Sequence, residues 1–112
     1  SQQAYEKYLP LVKKGGIVIL EKELVPNRNE ELEKNFKVFA IPLTKVAEET
    51  TGLSLTMNIL TLGVLVKLTS VVSEESIEKA VLDSVPKGTE NINLKALRKG
   101  FELGEKAKNG EL

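Results

Sequence analysis

Few side chains in this sequence are suited to chemistry. The chain contains neither Cys nor His, which excludes thiolate nucleophiles, thiolate or imidazole metal ligands, cysteine-held iron–sulfur clusters and histidine general bases. Its glutamates form three clusters, at 30–33, 48–49 and 74–75, each beside basic or polar residues. We therefore interpret these carboxylates as solvated surface and not as acid–base pairs. We assign no catalytic, cofactor-binding or metal-binding residue.

Two of the polar side chains in the most apolar stretch of the chain, residues 53–72, could carry chemistry or a specific contact. A buried Lys67 would have a lowered pKa and act as a base or Schiff-base former. We favour the ordinary alternative, in which its stem lies along apolar surface and its ammonium reaches solvent. The Asn58 amide should have a hydrogen-bond partner. That partner is either a loop backbone that fixes the helix entry, or a neighbouring subunit or cofactor-bearing domain.

The stretch 53–72 predicts a helix that is covered from two sides. At about 100° per residue, its apolar side chains form two opposed stripes: Leu55, Ile59, Leu62 and Val66 on one, and Met57, Leu60, Val64, Leu68 and Val71 on the other. A strand fits less well, because the alternation of apolar and polar residues fails after Leu60. Since a surface helix shows one apolar stripe, we expect this helix to lie between two layers.

The other elements predict an α/β fold with too few strands. Helices are expected from Ser1 to about Val12, with a face of Ala4, Tyr5, Tyr8 and Leu11, and then at 44–50, 73–85 and from Asn91 or Asn93 onward, with a frayed tail. Segments 17–20 and 38–41 are compact apolar strands of the kind buried in parallel sheets, and the charged segment 21–36 between them is expected to be exposed. Two such strands cannot form a parallel sheet covered on both faces. Further strands must come from sequence in front of this chain or from a partner.

The composition indicates one small domain without a charged partner. The 112 residues suffice for one modest core, and 16 basic residues balance 16 acidic ones. We expect no nucleic-acid partner, since Arg28 and Arg98 are the only guanidinium groups. We expect no membrane partner either, since the longest apolar run, 62–66, is far shorter than the roughly 20 residues that span a bilayer. The absence of Cys fits a cytoplasmic protein, and the missing initiator Met suggests a fragment.

Several phrases occur in order along the chain: Ser1-Gln2-Gln3-Ala4-Tyr5, Tyr8-Leu9-Pro10, Gly15-Gly16, Leu24-Val25-Pro26, Ala40-Ile41-Pro42, Val46-Ala47-Glu48-Glu49, Met57-Asn58-Ile59, Leu62-Gly63-Val64-Leu65, Val72-Ser73-Glu74-Glu75, Asn93-Leu94-Lys95-Ala96-Leu97 and Gly100-Phe101. From about residue 1 to residue 104, their order and spacing resemble the C-terminal part of the gamma component of 2-oxoacid:ferredoxin oxidoreductases. This family includes pyruvate, 2-oxoglutarate and 2-ketoisovalerate oxidoreductases. The phrase at 86–90, Pro-Lys-Gly-Thr-Glu, leans toward the 2-oxoglutarate branch.

The resemblance implies that residues 1–112 are the C-terminal portion of a single gamma-type domain, Rossmann-like, layered around a parallel sheet and helix-rich in this portion. The N-terminal half of such a domain, with a GGQG turn and the remaining strands, is absent from the chain. The resemblance also implies that thiamine diphosphate carries decarboxylation, iron–sulfur clusters carry electrons to ferredoxin, and coenzyme A accepts the acyl group. Other subunits or domains hold these groups, and we expect no cofactor in this chain.

Three hypotheses follow for the function. The first is a non-catalytic part of a multisubunit 2-oxoacid:ferredoxin oxidoreductase, with thiamine-diphosphate-binding and ferredoxin-like subunits as partners. The second is a stand-alone helical interaction module that forms a homo-oligomer through the helix at 53–72. The third is a small-molecule-binding α/β domain whose ligand lies at the strand ends near Leu20 and Ile41.

Overall fold

A computed structural model describes the backbone of residues 1–112 and the side chains of all of them except residue 54. The chain divides into two compact units, Ser1–Pro42 and Leu43–Leu112. The first holds the strands and the second is helical. The α/β class expected from the sequence is therefore confirmed, and each unit is described by itself.

The first unit begins with α1, Gln2–Tyr8, which continues into a 3-10 turn at Leu9–Leu11. The Ser1 hydroxyl caps this helix by accepting a hydrogen bond from the Ala4 backbone N–H at 3.2 Å. Strand β1, Ile17–Glu21, precedes a 3-10 turn at Lys22–Leu24 and the short helix α2, Glu30–Glu33. Strand β2, Lys37–Ile41, completes the unit.

Strands β1 and β2 pair in parallel, as expected, with Ile17 opposite Lys37 and Glu21 opposite Ile41. Within the part of the chain that the structure describes, the sheet has these two strands. An apolar cluster joins the sheet to α1 and to the loop after β1; its buried members are Tyr5, Leu9, Leu20 and Val25. Val18, Val38 and Ala40 pack against it from the strands.

Two expectations for the first unit are wrong. The expected face of α1 included Tyr8 and Leu11, yet both are exposed, and Leu9 is buried instead. Leu9 follows buried Tyr5 by four residues and therefore lies on the same helix face. Leu11 lies in the 3-10 turn around Pro10, where three residues per turn replace 3.6 and shift the side chain around the axis. The segment 21–36, expected to be exposed, contains buried Val25 and the partly buried side chains of Leu32 and Phe36.

The second unit consists of four helices. They are α3 at Leu43–Thr51, α4 at Met57–Thr69 after a 3-10 turn at Ser54–Thr56, α5 at Glu74–Ser84 and α6 at Glu90–Lys108. The Ser73 hydroxyl caps α5 as expected, accepting from the Ser76 N–H at 3.1 Å. The expected fraying of the tail is wrong, because α6 continues to Lys108 and Ala107 is buried. No helix in the described part of the chain is both long and apolar enough to cross a membrane.

Helices α4 and α6 meet at three glycines, Gly63, Gly100 and Gly104, which we call the glycine seam. A Cβ atom on Gly100 would lie 2.2 Å from the carbonyl oxygen of Leu60 and 2.9 Å from the Cα of Gly63. A Cβ atom on Gly104 would lie 2.6 Å from the Cβ of Lys67. The two backbones therefore approach so closely that no side chain fits between them at Gly100.

The expectation of two covered apolar stripes on α4 needs correction. The strip with Gly63 and Lys67, which falls between the two stripes, is the face that lies on α6. A hydropathy pattern does not identify this contact face, because glycine has no apolar side chain and it is the backbone that is buried there. The stripes flank the seam, and Val66 packs with Val81, Leu97 and Phe101. Leu55 and Val71 lie beyond the ends of α4 and are 86% and 74% exposed.

Candidate functional site

The first unit contains a hydrogen-bonded cluster of Tyr5, Arg28 and Glu33. The Tyr5 hydroxyl donates to Glu33 Oε2 at 2.6 Å and accepts from the Asn29 backbone N–H at 2.6 Å. Arg28 Nε donates to the same carboxylate at 2.9 Å, and its Nη2 donates to the other oxygen. The cluster ties α1 to the segment that carries α2, so the position of that segment depends on Tyr5.

The electrostatics of this cluster stabilise ionised Glu33 and neutral Tyr5. Hydrogen bonding from Arg28 holds the pKa of the Glu33 carboxyl below its ordinary value, although partial burial opposes this effect. Burial, reinforced by the hydrogen bond to Glu33, raises the pKa of the Tyr5 hydroxyl. The Glu33 side chain is only 10% exposed, so interpreting it as solvated surface is wrong. The hydrogen bonds of this cluster hold the fold together, and none of its groups is free to act as an acid or a base.

Lys67 lies on the seam side of α4, with its stem against Gly104. Its ammonium donates to Glu74 Oε2 at 3.1 Å and lies 3.7 Å from Glu105 Oε2. The hydrogen bond to Glu74 is the main cause that raises the pKa of Lys67 above its ordinary value. This arrangement fits the expectation that the stem of Lys67 lies along the protein while its ammonium reaches the surface. It favours the protonated amine, whereas a general base or Schiff-base former needs the neutral amine.

Asn58 occupies the first turn of α4, on the side opposite the glycine seam, and is exposed. Leu65, on the same side, is 41% exposed. The neighbouring hydroxyls of Thr61 and Thr69 donate to the carbonyls of Met57 and Leu65 within the helix, at 2.7 and 2.8 Å. Among the hydrogen bonds of the described residues, none involves the Asn58 amide, so a helix-entry or subunit-interface role stays a prediction.

Each unit has a surface groove large enough for a small molecule. In the first unit, a groove of about 230 Å³ runs between α1 and β1 and is mostly apolar. It includes Leu20, near the position expected for a small molecule. In the second, a groove of about 440 Å³ is lined by α6, with Lys95, Arg98 and Lys99 on its wall. Two of these cations are paired with carboxylates, since Arg98 bonds to Glu78 at 2.9 Å and Lys99 to Glu102 at 3.2 Å.

The donor atoms of this chain do not fit two of the groups that the resemblance implies, a cysteine-held iron–sulfur cluster and the magnesium of a bound diphosphate. A cysteine-held iron–sulfur cluster needs thiolates, and the sequence has no Cys. The magnesium that accompanies a diphosphate needs several oxygen ligands. Among the described residues, no three Asp or Glu side chains converge to supply them. No chemical step is therefore assigned to these groups on this chain.

Comparisons with known proteins give one consistent result. Residues 1–103 match the family model described as pyruvate ferredoxin/flavodoxin oxidoreductase. The chain is 47% identical over 105 residues to 2-oxoglutarate synthase subunit KorC of Methanocaldococcus jannaschii, covering 94% of this chain and 56% of that protein. It is 36% identical over 95 residues to the common gamma subunit of the pyruvate/ketoisovalerate oxidoreductases of Thermococcus litoralis, covering 81% of this chain and 50% of that protein.

A solved structure agrees with these relatives. The gamma subunit of a keto/oxoacid ferredoxin oxidoreductase from Geobacter sulfurreducens superposes with a TM-score of 0.86 at 36% identity, covering 96% of this chain and 62% of that one. The chain thus spans about half to two thirds of the proteins it resembles. The match over most of its length identifies it as a member of the pyruvate ferredoxin/flavodoxin oxidoreductase family.

Proposed function

We propose that this chain is a non-catalytic portion of the gamma subunit of a 2-oxoacid:ferredoxin oxidoreductase. Such a complex decarboxylates a 2-oxoacid oxidatively, forms an acyl-CoA and passes the electrons to ferredoxin. The observation that carries the proposal is the family match over residues 1–103. The identity to gamma-type and KorC subunits supports it.

The substrate that we propose is 2-oxoglutarate. Its support comes from 2-oxoglutarate synthase subunits, which match this chain at 47% and 37% identity over more than nine tenths of its length. The pyruvate/ketoisovalerate relatives match at 36% and 37%, over a smaller share of the chain. The phrase at 86–90 leans the same way. The higher sequence identity to a 2-oxoglutarate synthase subunit, 47% against 37% for a pyruvate/ketoisovalerate subunit, favours 2-oxoglutarate.

The role that we propose for this chain is assembly. Thiamine diphosphate, the iron–sulfur clusters and coenzyme A would be held by other subunits or domains, with thiamine-diphosphate-binding and ferredoxin-like subunits as partners. The paired state of the charged groups supports this role. Arg28, Lys67 and Arg98 each bond to a carboxylate within their own unit, so these groups are already used in holding the fold.

We further propose that both units belong to one gamma-type domain, in a cytoplasmic complex. The support is the family match over residues 1–103, which spans both units. The two-stranded sheet also leaves backbone N–H and C=O groups unpaired along both outer edges. Strands from the remaining part of the subunit would satisfy those groups.

Co-purification tests the proposed function. The intact protein that contains this chain is tagged and co-expressed with the thiamine-diphosphate-binding and ferredoxin-like subunits of the same genome, and the eluate is separated by size. We expect one particle containing all subunits. Ferredoxin reduction is then measured with 2-oxoglutarate, pyruvate and 2-ketoisovalerate, and 2-oxoglutarate should be preferred. A tagged protein that elutes without the other subunits would contradict the proposal.

A further inference from the structure

Helix α5 has the fewest buried residues among the helices of the second unit. Within the described chain, Val81 is its only fully buried residue, whereas α4 buries four residues and α6 buries seven. Ile77 and Val85, about one turn to either side of Val81, are partly buried. Since local stability follows the apolar area that a segment buries, we expect α5 to be the most weakly held helix of this unit.

The apolar side of α5 covers a surface that α4 and α6 form together. Val81 packs with Val66 of α4 and with Leu97 and Phe101 of α6. We call these three residues the covered surface, and each is at most 7% exposed. The glycine seam contains no residue of α5. Helices α4 and α6 therefore keep their direct contact when α5 moves away from the covered surface.

The opposite side of α5 is charged. Glu75, Lys79 and Asp83 lie across the helix from Val81 and are exposed. Such a stripe is typical of a solvated surface, since charged residues are depleted at the centres of protein interfaces. We therefore expect no partner to hold α5 from this side, and its attachment depends on the side that faces α4 and α6.

Two ion pairs at the surface add to this attachment. Glu74 accepts a hydrogen bond from Lys67 of α4 at 3.1 Å, and Glu78 accepts one from Arg98 of α6 at 2.9 Å. The side chains of Glu74 and Arg98 are 49% and 60% exposed, so water and salt screen both pairs. Among the described residues, no backbone–backbone hydrogen bond joins α5 to another helix. A few side chains therefore hold α5 in place.

The connections on both sides of α5 have backbones suited to a hinge, which is a few loop residues that absorb changes in φ and ψ. Ser70, before α5, has a φ of 53°, and Gly88, after it, has a φ of 92°. A change of conformation at Ser70 relieves backbone strain, and glycine adopts either sign of φ. The hydrogen bonds of the second connection run from the Gly88 N–H to the Glu90 carboxylate and from the Thr89 N–H to the Pro86 carbonyl. They lie outside α5 and can persist when it moves.

We propose that α5 is a lid, which opens as one unit over the covered surface while α4 and α6 remain packed. The open state makes Val66, Leu97 and Phe101 accessible. This inference goes beyond the proposed function and does not depend on it.

Amide hydrogen exchange of the intact subunit, measured along a series of low denaturant concentrations, tests the proposal. Amides in residues 77–85 should exchange on the order of tenfold faster, or more, than those in 60–67 and 97–104. Their exchange should also depend less on denaturant, because opening of one helix exposes less surface than unfolding does. Equal protection of the three segments would overturn the inference.

Two matched substitutions separate opening of the lid from unfolding of the whole unit. Val81→Ala and Val64→Ala each remove two methyl groups from a buried valine, the first on the lid and the second on α4 beside the glycine seam. Val81→Ala should speed exchange in 77–85 by about five- to thirtyfold. Val64→Ala should speed exchange in 60–67 and 97–104 but leave 77–85 unchanged, because the packing of Val64 is kept when the lid opens.

If Val64→Ala speeds exchange in 77–85 as much as in α4 and α6, then α5 opens only when the unit unfolds, and the inference is wrong. Should Val81→Ala fail to fold, the wild type and Val64→Ala still decide the question. None of these results bears on the proposed function, which fails separately if the subunit does not co-purify with the other subunits.

Discussion

Single glycines decide how closely α4 and α6 pack. In a helix interior, glycine is ordinarily less stable than alanine by about 1 kcal/mol. Gly100 occupies such a position, and its missing Cβ lets the backbone of Leu60 approach closely. At this residue the stability gained from close helix packing outweighs the low helix propensity of glycine.

Gly100→Ala should therefore destabilise the protein, although helix propensity alone predicts the opposite sign. The added Cβ would meet backbone atoms at 2.2 and 2.9 Å, and the helices must separate to accept it. We expect a loss of about 2 to 3 kcal/mol in the free energy of unfolding, measured by denaturant titration.

Gly88→Ala is the control for that measurement. Gly88 has a positive φ of 92°, and a Cβ atom added there would have no neighbouring atom within 4 Å, so only backbone strain of about 1 to 2 kcal/mol applies. A stabilised Gly100→Ala variant would contradict the close approach of the two helices.

The cluster around Glu33 predicts a pH dependence. Since the pKa of Glu33 is lowered in the folded protein, its contribution is present above the unfolded pKa of about 4.3 and is lost as the pH falls through the folded value. Glu33→Gln should cost about 1 to 2 kcal/mol near pH 7 and should flatten the decline of the unfolding free energy on acidification. Glu31→Gln, which alters a highly exposed carboxylate, should leave that decline unchanged.

Hydropathy patterns locate side chains but not their partners, and this limits prediction at the residue scale. Ser1 and Ser73 were identified as caps because a cap depends on neighbouring residues. Glu33 was misassigned because its partner Tyr5 is 28 residues away. A Tyr in an apolar helical face and an Arg five residues before the glutamate were the available signals, and neither is specific.

At the scale of elements, α4 is a helix with two different sides. Leu60, on the seam side, is fully buried, whereas Leu65, on the opposite side of the helix, is 41% exposed. The two leucines are five residues apart and chemically identical. A pair of matched substitutions therefore separates packing within the unit from exposure at its surface.

Leu60→Ala should cost about 2 to 5 kcal/mol in the free energy of unfolding, because it removes buried methyl groups and leaves a cavity. Leu65→Ala should change it by less than about 1 kcal/mol. Denaturant titration of both variants checks the orientation of α4. Equal losses would contradict the assignment of its two sides.

Lys67→Met should preserve the fold and, in the assembled complex, the turnover. Its stem packs against Gly104 and its ammonium reaches surface carboxylates, so Met retains the packing and gives up only the ion pairs. Thermal melting and steady-state turnover measure the two effects. Lost turnover in a fully assembled complex would restore a chemical role for this amine.

The order and type of the elements were predictable, but their contacts were not. The strands at 17–21 and 37–41 and the helix α5 agree closely with expectation, because each has a local pattern with clear capping or β-branched residues. The helix at 53–72 is confirmed but shorter, at 57–69. Apolar residues beyond both ends of α4 make the predicted helix longer than the observed one. The face of α4 that contacts α6 could not be identified from the pattern, because Gly63 contributes no apolar side chain to it.

At the scale of the whole molecule, the sheet carries the main physical argument. The sheet of this chain has two parallel strands in the part that the structure describes, and its outer edges are unpaired. Parallel strands ordinarily occur in larger sheets whose two faces are both covered. The sequence predicts that further strands are needed, and the chain spans 56% of the KorC subunit that it matches at 47% identity.

The central claim is that this chain serves a 2-oxoacid oxidoreductase without catalysing its chemistry. The most direct measurement is ferredoxin reduction by 2-oxoglutarate and coenzyme A, carried out with the intact subunit alone, with the other subunits alone and with the assembled complex. We predict no turnover from the intact subunit alone and full turnover from the complex. Turnover by the subunit alone, or full activity of the other subunits in a complex that never binds it, would contradict the account.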